Sequence, residues 1–188
     1  LDSVGDIALD DLGNRFEGEV VVVQGKDVTI VAGDGLKVSG GSGSLDALVL
    51  EGALEIGGYE TKGGVLKVTA GNGEITQSGA IRADAGAELN ASGDITLENG
   101  GNEFGVVGAA VLGGQTVTLV GGNGLTVRGQ STRLDAEARS GDLTLAGYST
   151  PGGLLEAKAM EGSISQSGAI TAGAGAKLEA KEAITLAD

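Results

Sequence analysis

The sequence predicts an all-β fold, a right-handed parallel β-helix (solenoid) with about 20–23 residues and three short strands per coil. Three observations predict it: a long internal repeat, a regular succession of short strand-like segments, and a composition rich in glycine and poor in aromatic residues. The repeat is the strongest of these. The segment ITQSGAI at Ile75–Ile81 returns as ISQSGAI at Ile164–Ile170, 89 positions later.

The segments between the turns have strand periodicity. Gly5–Leu9 alternates apolar with small or polar residues, and its counterpart Gly93–Leu97 follows 88 positions later. Such segments recur every eight to twelve residues, which is a spacing typical of β architectures. No apolar pattern with helical periodicity extends beyond one turn. Short strands with glycine-rich turns would also suit a sandwich or a barrel. The strict repetition selects the solenoid.

The repeat defines the domain organisation. We treat residues 1–188 as a single β-helix segment with two copies, at approximately 4–92 and 93–181, and the start of a third at 182–188. With about 20–23 residues per coil, each copy should contain about four coils. The first residues read as the middle of a repeat, so we expect the chain to be a piece of a longer protein, flanked by neighbouring repeats.

The composition predicts a narrow core. The chain has 37 Gly but only two Phe, two Tyr and no Trp. Because aromatic side chains normally account for much of the buried area in a core, this interior must be built from Val, Ile, Leu and Ala. Glycine at the corners would let the chain turn sharply between faces.

Charge and residue types exclude several functions. The net charge of −14 argues against nucleic acid, whose phosphates need Lys and Arg, and against anionic membranes. No apolar run approaches the roughly 20 residues of a membrane-spanning helix, so we expect no membrane insertion. The absence of Cys and His excludes disulfides, Cys/His zinc sites and histidine-based acid–base chemistry. We expect no cofactor.

Comparing the two copies gives a prediction for two leucines. Leu48 and Leu50 align with Glu137 and Arg139 of the second copy. Because the charged pair must face water, we predict that both leucines point outward, where they could make a lateral contact. The alternative is a local register shift that turns them inward.

The two tyrosines are candidates for carbohydrate contact. Tyr59 and Tyr148 are 89 positions apart and follow equivalent strands. Sugar sites commonly combine an aromatic ring with carboxylates. The alternative, which the matched spacing favours, is that both rings pack at corners of the coil.

Acidic residues and one glycine-rich stretch could suggest chemistry, but both are better explained as surface turns. Glu17 and Glu19 align with Gly105 and Val107, so the second copy does not keep them. The stretch at 40–46 resembles a calcium-binding nonapeptide, but its Asp arrives one residue late. Further acidic pairs, of the kind that polysaccharide-cleaving enzymes use, are Asp10 with Asp11 and Asp135 with Glu137.

One string of motifs resembles a known family. In this sequence it runs through Ile75–Ile81, Ala87–Ala91, Gly93–Leu97 and Asn102–Phe104, with Glu103 where the family commonly has Asp. The string is similar to the repeats of filamentous haemagglutinin-type exoproteins, large adhesins of Gram-negative bacteria secreted by the two-partner route. The resemblance covers nearly the whole chain, although the Asn-Pro-Asn motifs of the family's secretion domain are missing.

The resemblance implies a function in adhesion at the bacterial surface. It implies a secreted, extracellular protein in which this segment is a structural shaft that holds a binding tip away from the cell or within a biofilm matrix. Partners would be neighbouring repeats and, for the whole protein, a host-cell receptor, a glycan or a matrix polysaccharide. Two alternatives stay open: a glycan- or polysaccharide-binding module, and a polysaccharide-degrading β-helix enzyme. We expect no enzyme activity.

Overall fold

The computed structural model describes residues 1–186, and in that range the chain is all-β, with eighteen strands wound into about nine turns. Residues 187 and 188, the end of the expected third copy, lie outside the described residues. The strands are β1 Ile7–Leu9, β2 Glu19–Val22, β3 Asp27–Ala32, β4 Leu36–Ser42, β5 Ser44–Glu51, β6 Leu54–Thr61, β7 Leu66–Asn72, β8 Ile75–Gln77, β9 Ile81–Ala83, β10 Ala87–Ala91, β11 Ile95–Leu97, β12 Ala109–Gly113, β13 Thr116–Gln130, β14 Arg133–Thr150, β15 Leu155–Ala159, β16 Ile164–Ala172, β17 Ala176–Ala180 and β18 Ile184–Thr185.

Successive coils pair in parallel along two long sides of the rod. We call side A the ladder formed by Ile7, Val28, Leu45, Leu66, Ala87, Ala109 and Val127. Side B is the ladder formed by Leu36, Leu54, Ile75, Ile95, Val117, Leu134, Leu155 and Ala176. These ladders confirm the predicted parallel β-helix.

The core is a stack of inward-pointing aliphatic side chains. Along β5, Leu45, Ala47 and Val49 are at most 1% exposed, and the residues between them are part-exposed. The same alternation recurs on the coils above, so each inward residue meets its counterpart one coil away. Each fully buried Leu or Ile contributes about 1.5–3 kcal/mol.

Coil length varies more than the sequence predicted. Val28 pairs with Leu45, 17 positions later, whereas Ala87 pairs with Ala109, 22 positions later. Strands are also longer in the second copy, where β13 has 15 residues and β14 has 18. Their pairing shifts register at Gly129 and continues round the corner. The expectation of three short strands in every coil is therefore wrong for this part.

One sequence copy corresponds to four and a half coils, not four. Ile7 lies on side A, and four and five coils above it lie Ala87 and Ala109. Ile95, the equivalent of Ile7 in the second copy, follows Ala87 in the chain but lies on side B. Equivalent residues of the two copies therefore face opposite sides of the rod.

The coil has two edges, one after each side. The first edge follows side B and contains Gly40, Tyr59 and Ile81 in register. The second edge follows side A and contains their equivalents Gly129, Tyr148 and Ile170.

A glycine with positive φ shapes each edge. Gly40 has φ of 113° and Gly129 has φ of 118°. A Cβ at either position would lie 1.8 or 1.9 Å from the carbonyl oxygen of Val22 or Val111, respectively, on the preceding coil. Both the backbone conformation and the close approach therefore require glycine here.

Replacing Gly129 by Ala should destabilise the fold by about 3 kcal/mol or more, because the new Cβ meets a carbonyl of the neighbouring coil in a backbone conformation that L residues rarely adopt. The measurement is the midpoint of urea unfolding. The control is Gly152→Ala, at a site where no heavy atom lies within 4 Å of the added Cβ, with an expected change within about 0.5 kcal/mol. Equal midpoints for the two variants would contradict the conclusion that position 129 requires glycine.

Candidate functional site

The first edge carries a groove. It is lined by Val21–Gly25, Gly40–Gly43, Glu60 and Lys62, and its volume is about 620 Å³. We call it the edge groove. Its floor is glycine backbone, one wall carries valines, and the other carries a carboxylate and an ammonium group.

The local sequence explains both the floor and the apolar wall. Along β2, Val20 and Val22 are buried, so the alternate residues Val21 and Val23 point outward and are 48% and 69% exposed. On the next coil Gly41 and Gly43 bring no side chains. The result is a dip between the outward valines and the coil that carries Glu60.

The second copy fills the equivalent space. Gln130 stands where the first copy has Gly41, and Thr132 stands where it has Gly43. The Gln130 side-chain amide donates to the carbonyl oxygen of Leu112 at 3.5 Å, across the position of the groove. The glycine-floored form therefore belongs to the first copy, on the first edge.

Charged side chains continue from the groove along the same edge. Gly41, Glu60, Arg82 and Glu103 occupy one column on four successive coils. Lys62 follows Glu60, and Asp84 follows Arg82, one column further along the chain. We call Glu60, Lys62, Arg82 and Asp84 the charged strip.

Within residues 1–186, Glu60, Lys62 and Arg82 make no ion pair, although other charges of the rod are paired between coils. Lys67 binds Asp46 at 2.8 Å, for example, and Lys37 binds Glu55 at 2.9 Å. Asp84 accepts a hydrogen bond from the backbone N–H of Gly63 at 3.1 Å. The charged strip thus keeps its side-chain charges available at the surface.

Beyond the charged strip, an apolar loop projects from the edge. Val106 is 94% exposed, between Gly105 and Gly108, which both have positive φ. The loop lies where the offset between equivalent residues of the two copies changes from 88 to 89 positions, so the second copy has one extra residue in this region. The corresponding segment of the first copy carries Glu17 and Glu19 instead.

The two tyrosines lie inside the coil. Tyr59 and Tyr148 are 2% and 1% exposed. The Tyr59 hydroxyl is hydrogen-bonded to Ser42 at 2.9 Å, and Tyr148 donates to Ser131 at 3.0 Å. Neither ring has a face on which a sugar could stack. The structure contradicts the predicted carbohydrate contact and supports corner packing.

A buried asparagine is a structural residue that the sequence analysis missed. The Asn102 amide donates to Gln77 Oε1 and to the carbonyl oxygens of Leu97 and Val120, and its oxygen accepts from the Ile81 N–H and from Gln77 Nε2. A signal was present in the repeated Asn-x-Phe. The equivalent Asn14 donates to the Leu9 carbonyl at 3.1 Å, as Asn102 does to Leu97 at 3.2 Å.

Leu48 and Leu50 lie on the outer face of β5, as predicted, and are part-exposed. In register, Leu48 lies between Val31 and Thr69 on the adjacent coils. A lateral contact through these leucines stays a prediction.

The acidic candidates are surface residues. Asp10, Asp11, Glu17, Glu19 and Asp135 are exposed. Nowhere in residues 1–186 are three or more acidic side chains grouped so that they could hold a metal ion. The same residues include no helix of the length and apolarity needed to cross a membrane.

Comparison with known proteins places the chain in a family. The family described as "Repeats of unknown function (DUF5649)" matches residues 42–111 and 133–188, so this chain is a repeat protein that belongs to that family. No curated protein and no solved structure matches the chain.

Burial of the tyrosine rings should make stability depend on pH above 10. Burial raises the pKa of Tyr148 from 10.0 to about 12 and also raises the pKa of Tyr59. The unfolded chain therefore loses the Tyr148 proton first, and stability present below pH 10 is lost as pH rises towards 12. The Tyr148 contribution is on the order of 2 kcal/mol.

The measurement is thermal unfolding between pH 9 and pH 12, a range that includes the unfolded and folded pKa values of Tyr148, with Tyr148→Phe as the comparison. The Phe variant cannot ionise and should lose less stability across this range. Parallel curves for the two proteins would contradict the burial argument.

Removing the Asn102 side chain should destabilise the first edge. Asn102→Ala leaves buried backbone groups at Ile81, Leu97 and Val120 without partners, at a cost of about 3 kcal/mol. Asn72→Ala is the control, because Asn72 is exposed and its amide bonds only Glu51, at 2.9 Å. Urea unfolding of both variants tests this, and a similar small loss in each would count against the role of Asn102.

Proposed function

We propose that this chain is a structural shaft segment of a secreted bacterial surface or biofilm-matrix adhesin, which extends a binding tip from the cell. The observation that supports this most is the unbroken stacking of coils. A single hydrophobic core runs from Val20 to Ile164, and the ladders on sides A and B continue across the boundary between the two sequence copies.

A solenoid of this kind suits a spacer. Each coil contacts only its neighbours, so added repeats lengthen the rod without changing the packing already present. The net charge of −14 opposes non-specific association of long, strand-rich molecules. Membership in a repeat family is compatible with this role.

The link to adhesion and secretion rests on the motif string of the sequence. On this proposal the partners are neighbouring repeats of the same long chain, and the whole protein meets its receptor, glycan or matrix polysaccharide elsewhere. The carbohydrate-binding alternative loses its two candidate rings, since Tyr59 and Tyr148 are buried.

The proposal is also that the segment carries out no catalysis. The buried polar side chains that we describe make hydrogen bonds at the corners of the coils. Thr61 and Thr150, for example, each donate to the carbonyl oxygen three residues ahead, at Gly64 and Gly153. The acidic pairs considered for polysaccharide cleavage are exposed or part-exposed. Incubation with acidic and neutral polysaccharides should yield no products, and product formation would overturn this part.

A test of the shaft proposal measures length against copy number. Proteins with one, two and three tandem copies should show maximum dimensions in small-angle X-ray scattering that rise by about 20 Å per copy, from 4.5 coils of about 4.8 Å each. A flexible chain of domains would grow more slowly, roughly with the square root of copy number. That result would contradict a rigid shaft.

A further inference from the structure

We propose that the first edge is a self-association surface, on which a second copy of this chain binds in antiparallel orientation about a two-fold axis. The proposal is independent of the shaft role. It brings together three features of one edge: the edge groove, the charged strip and the exposed loop at Val106.

The three features occupy one face in a defined order along the rod. The column through Gly41, Glu60, Arg82 and Glu103 places the groove lowest, the charged strip next and the loop of Val106 highest. Four coils span only about 15–20 Å. A surface that pairs with itself about a two-fold axis needs such self-complementarity, with each element on one molecule facing its match on the other.

Consider a two-fold axis that lies in the plane of contact, runs parallel to the strands and passes between the coils of Glu60 and Arg82. This axis reverses the order of the coils in the second molecule and leaves the position along each strand unchanged. Glu60 of each molecule then faces Arg82 of the other, since both belong to the same column. Lys62 likewise faces Asp84. All four charges meet opposite charges, and each contact occurs twice.

The same operation brings the groove and the loop together. The coil of Gly41 and Gly43 lies one step below the charged coils, and the coil of Gly105 and Val106 lies one step above them. The exposed Val106 side chain of one molecule therefore faces the groove of the other, near the outward valines Val21 and Val23. Burying these side chains together supplies the apolar part of the contact.

Addition of a peptide strand is the other occupant to consider, and the backbone argues against it. Gly40, Gly41 and Ser42 on the groove floor already pair in register with Tyr59, Glu60 and Thr61 of the next coil. Strand addition needs an unpaired sheet edge. The contact must instead use side chains and shape, as the antiparallel pair does.

The two copies differ in the way this proposal requires. On the second edge, Gln130 and Thr132 fill the groove, Ser149 and Pro151 replace Glu60 and Lys62, and Thr171 and Gly173 replace Arg82 and Asp84. That edge has neither the recess nor the charges. The surface is therefore one-sided, and it gives a closed dimer rather than a sheet of rods.

The contact is small, because four coils bury less than the roughly 1,600 Å² of a standard interface. We expect a dissociation constant of about 10 µM to 1 mM. Sedimentation velocity over this concentration range should show a monomer–dimer equilibrium that weakens with added salt. A protein that stays monomeric up to about 1 mM overturns the proposal and leaves the shaft test unaffected.

Charge reversal gives the decisive test. Glu60→Arg places two arginines opposite each other, and Arg82→Glu places two glutamates opposite each other, so each variant alone should dimerise at least tenfold more weakly. In an equimolar mixture of the two variants every facing pair is again of opposite charge, and a heterodimer should form with close to the original affinity. A mixture that dimerises no better than its components overturns the two-fold arrangement.

Further variants test the apolar part and control for folding. Val106→Ser and Gly41→Gln should each weaken dimerisation at least tenfold, the latter by introducing the residue that the second copy carries at Gln130. Glu161→Arg makes the same charge change as Glu60→Arg at an exposed site far along the rod and should leave the affinity unchanged. An unchanged melting temperature shows that a variant is folded. If neither Val106→Ser nor Gly41→Gln changes the affinity, the contact between Val106 and the edge groove is overturned.

Discussion

Hydrogen bonding in register between successive coils is the constraint on which the structure depends. It fixes which residues stack, and therefore which side chains point inward, while the outward side chains need only be compatible with their neighbours above and below. On side A, Asp46, Lys67 and Glu88 follow one another; on side B their equivalents are Asp135, Glu156 and Lys177. The order of the charges differs, but Lys67 pairs with Asp46 and Lys177 pairs with Glu156.

The corner residues, like the inward-pointing residues, are kept between the two copies. The positive-φ glycine is followed two residues later by a serine that bonds a buried tyrosine, in the pairs Ser42–Tyr59 and Ser131–Tyr148. These hydrogen bonds join adjacent coils at the corner, where the alternation of inward and outward side chains is interrupted. Such interruptions cannot be left unsatisfied in a narrow core, and so the corner chemistry is repeated when the surface chemistry is not.

The strict repeat predicted the parallel stacking, comparison of the two copies predicted the outward position of Leu48, and local alternation predicted the strands. It failed where backbone geometry breaks the alternation. The pairing register shifts between Val38 and Gly40, and Tyr59, which pairs with Gly40, points inward. Its orientation could therefore not be predicted by counting alternate residues along the strand. The role of Asn102 was also missed, because its partners come from coils that only the fold brings together.

Coil length limited the prediction in a different way. A repeat of 89 residues fixes how often a sequence recurs, but not how many times the chain has gone round the axis in between. That depends on turns that make one coil 17 residues and another 22. For the same reason the edge groove could not be foreseen, since it is formed by side chains, and by missing side chains, on three separate coils.

The half-coil phase between copies has a mechanical consequence. Any slight difference in strand spacing between sides A and B would bend the rod within one copy. The next copy presents the same sequence elements with the sides exchanged, so it bends in the opposite sense. A long array with this phase would average out its own curvature every two copies and remain straight, whatever small asymmetry each repeat contains.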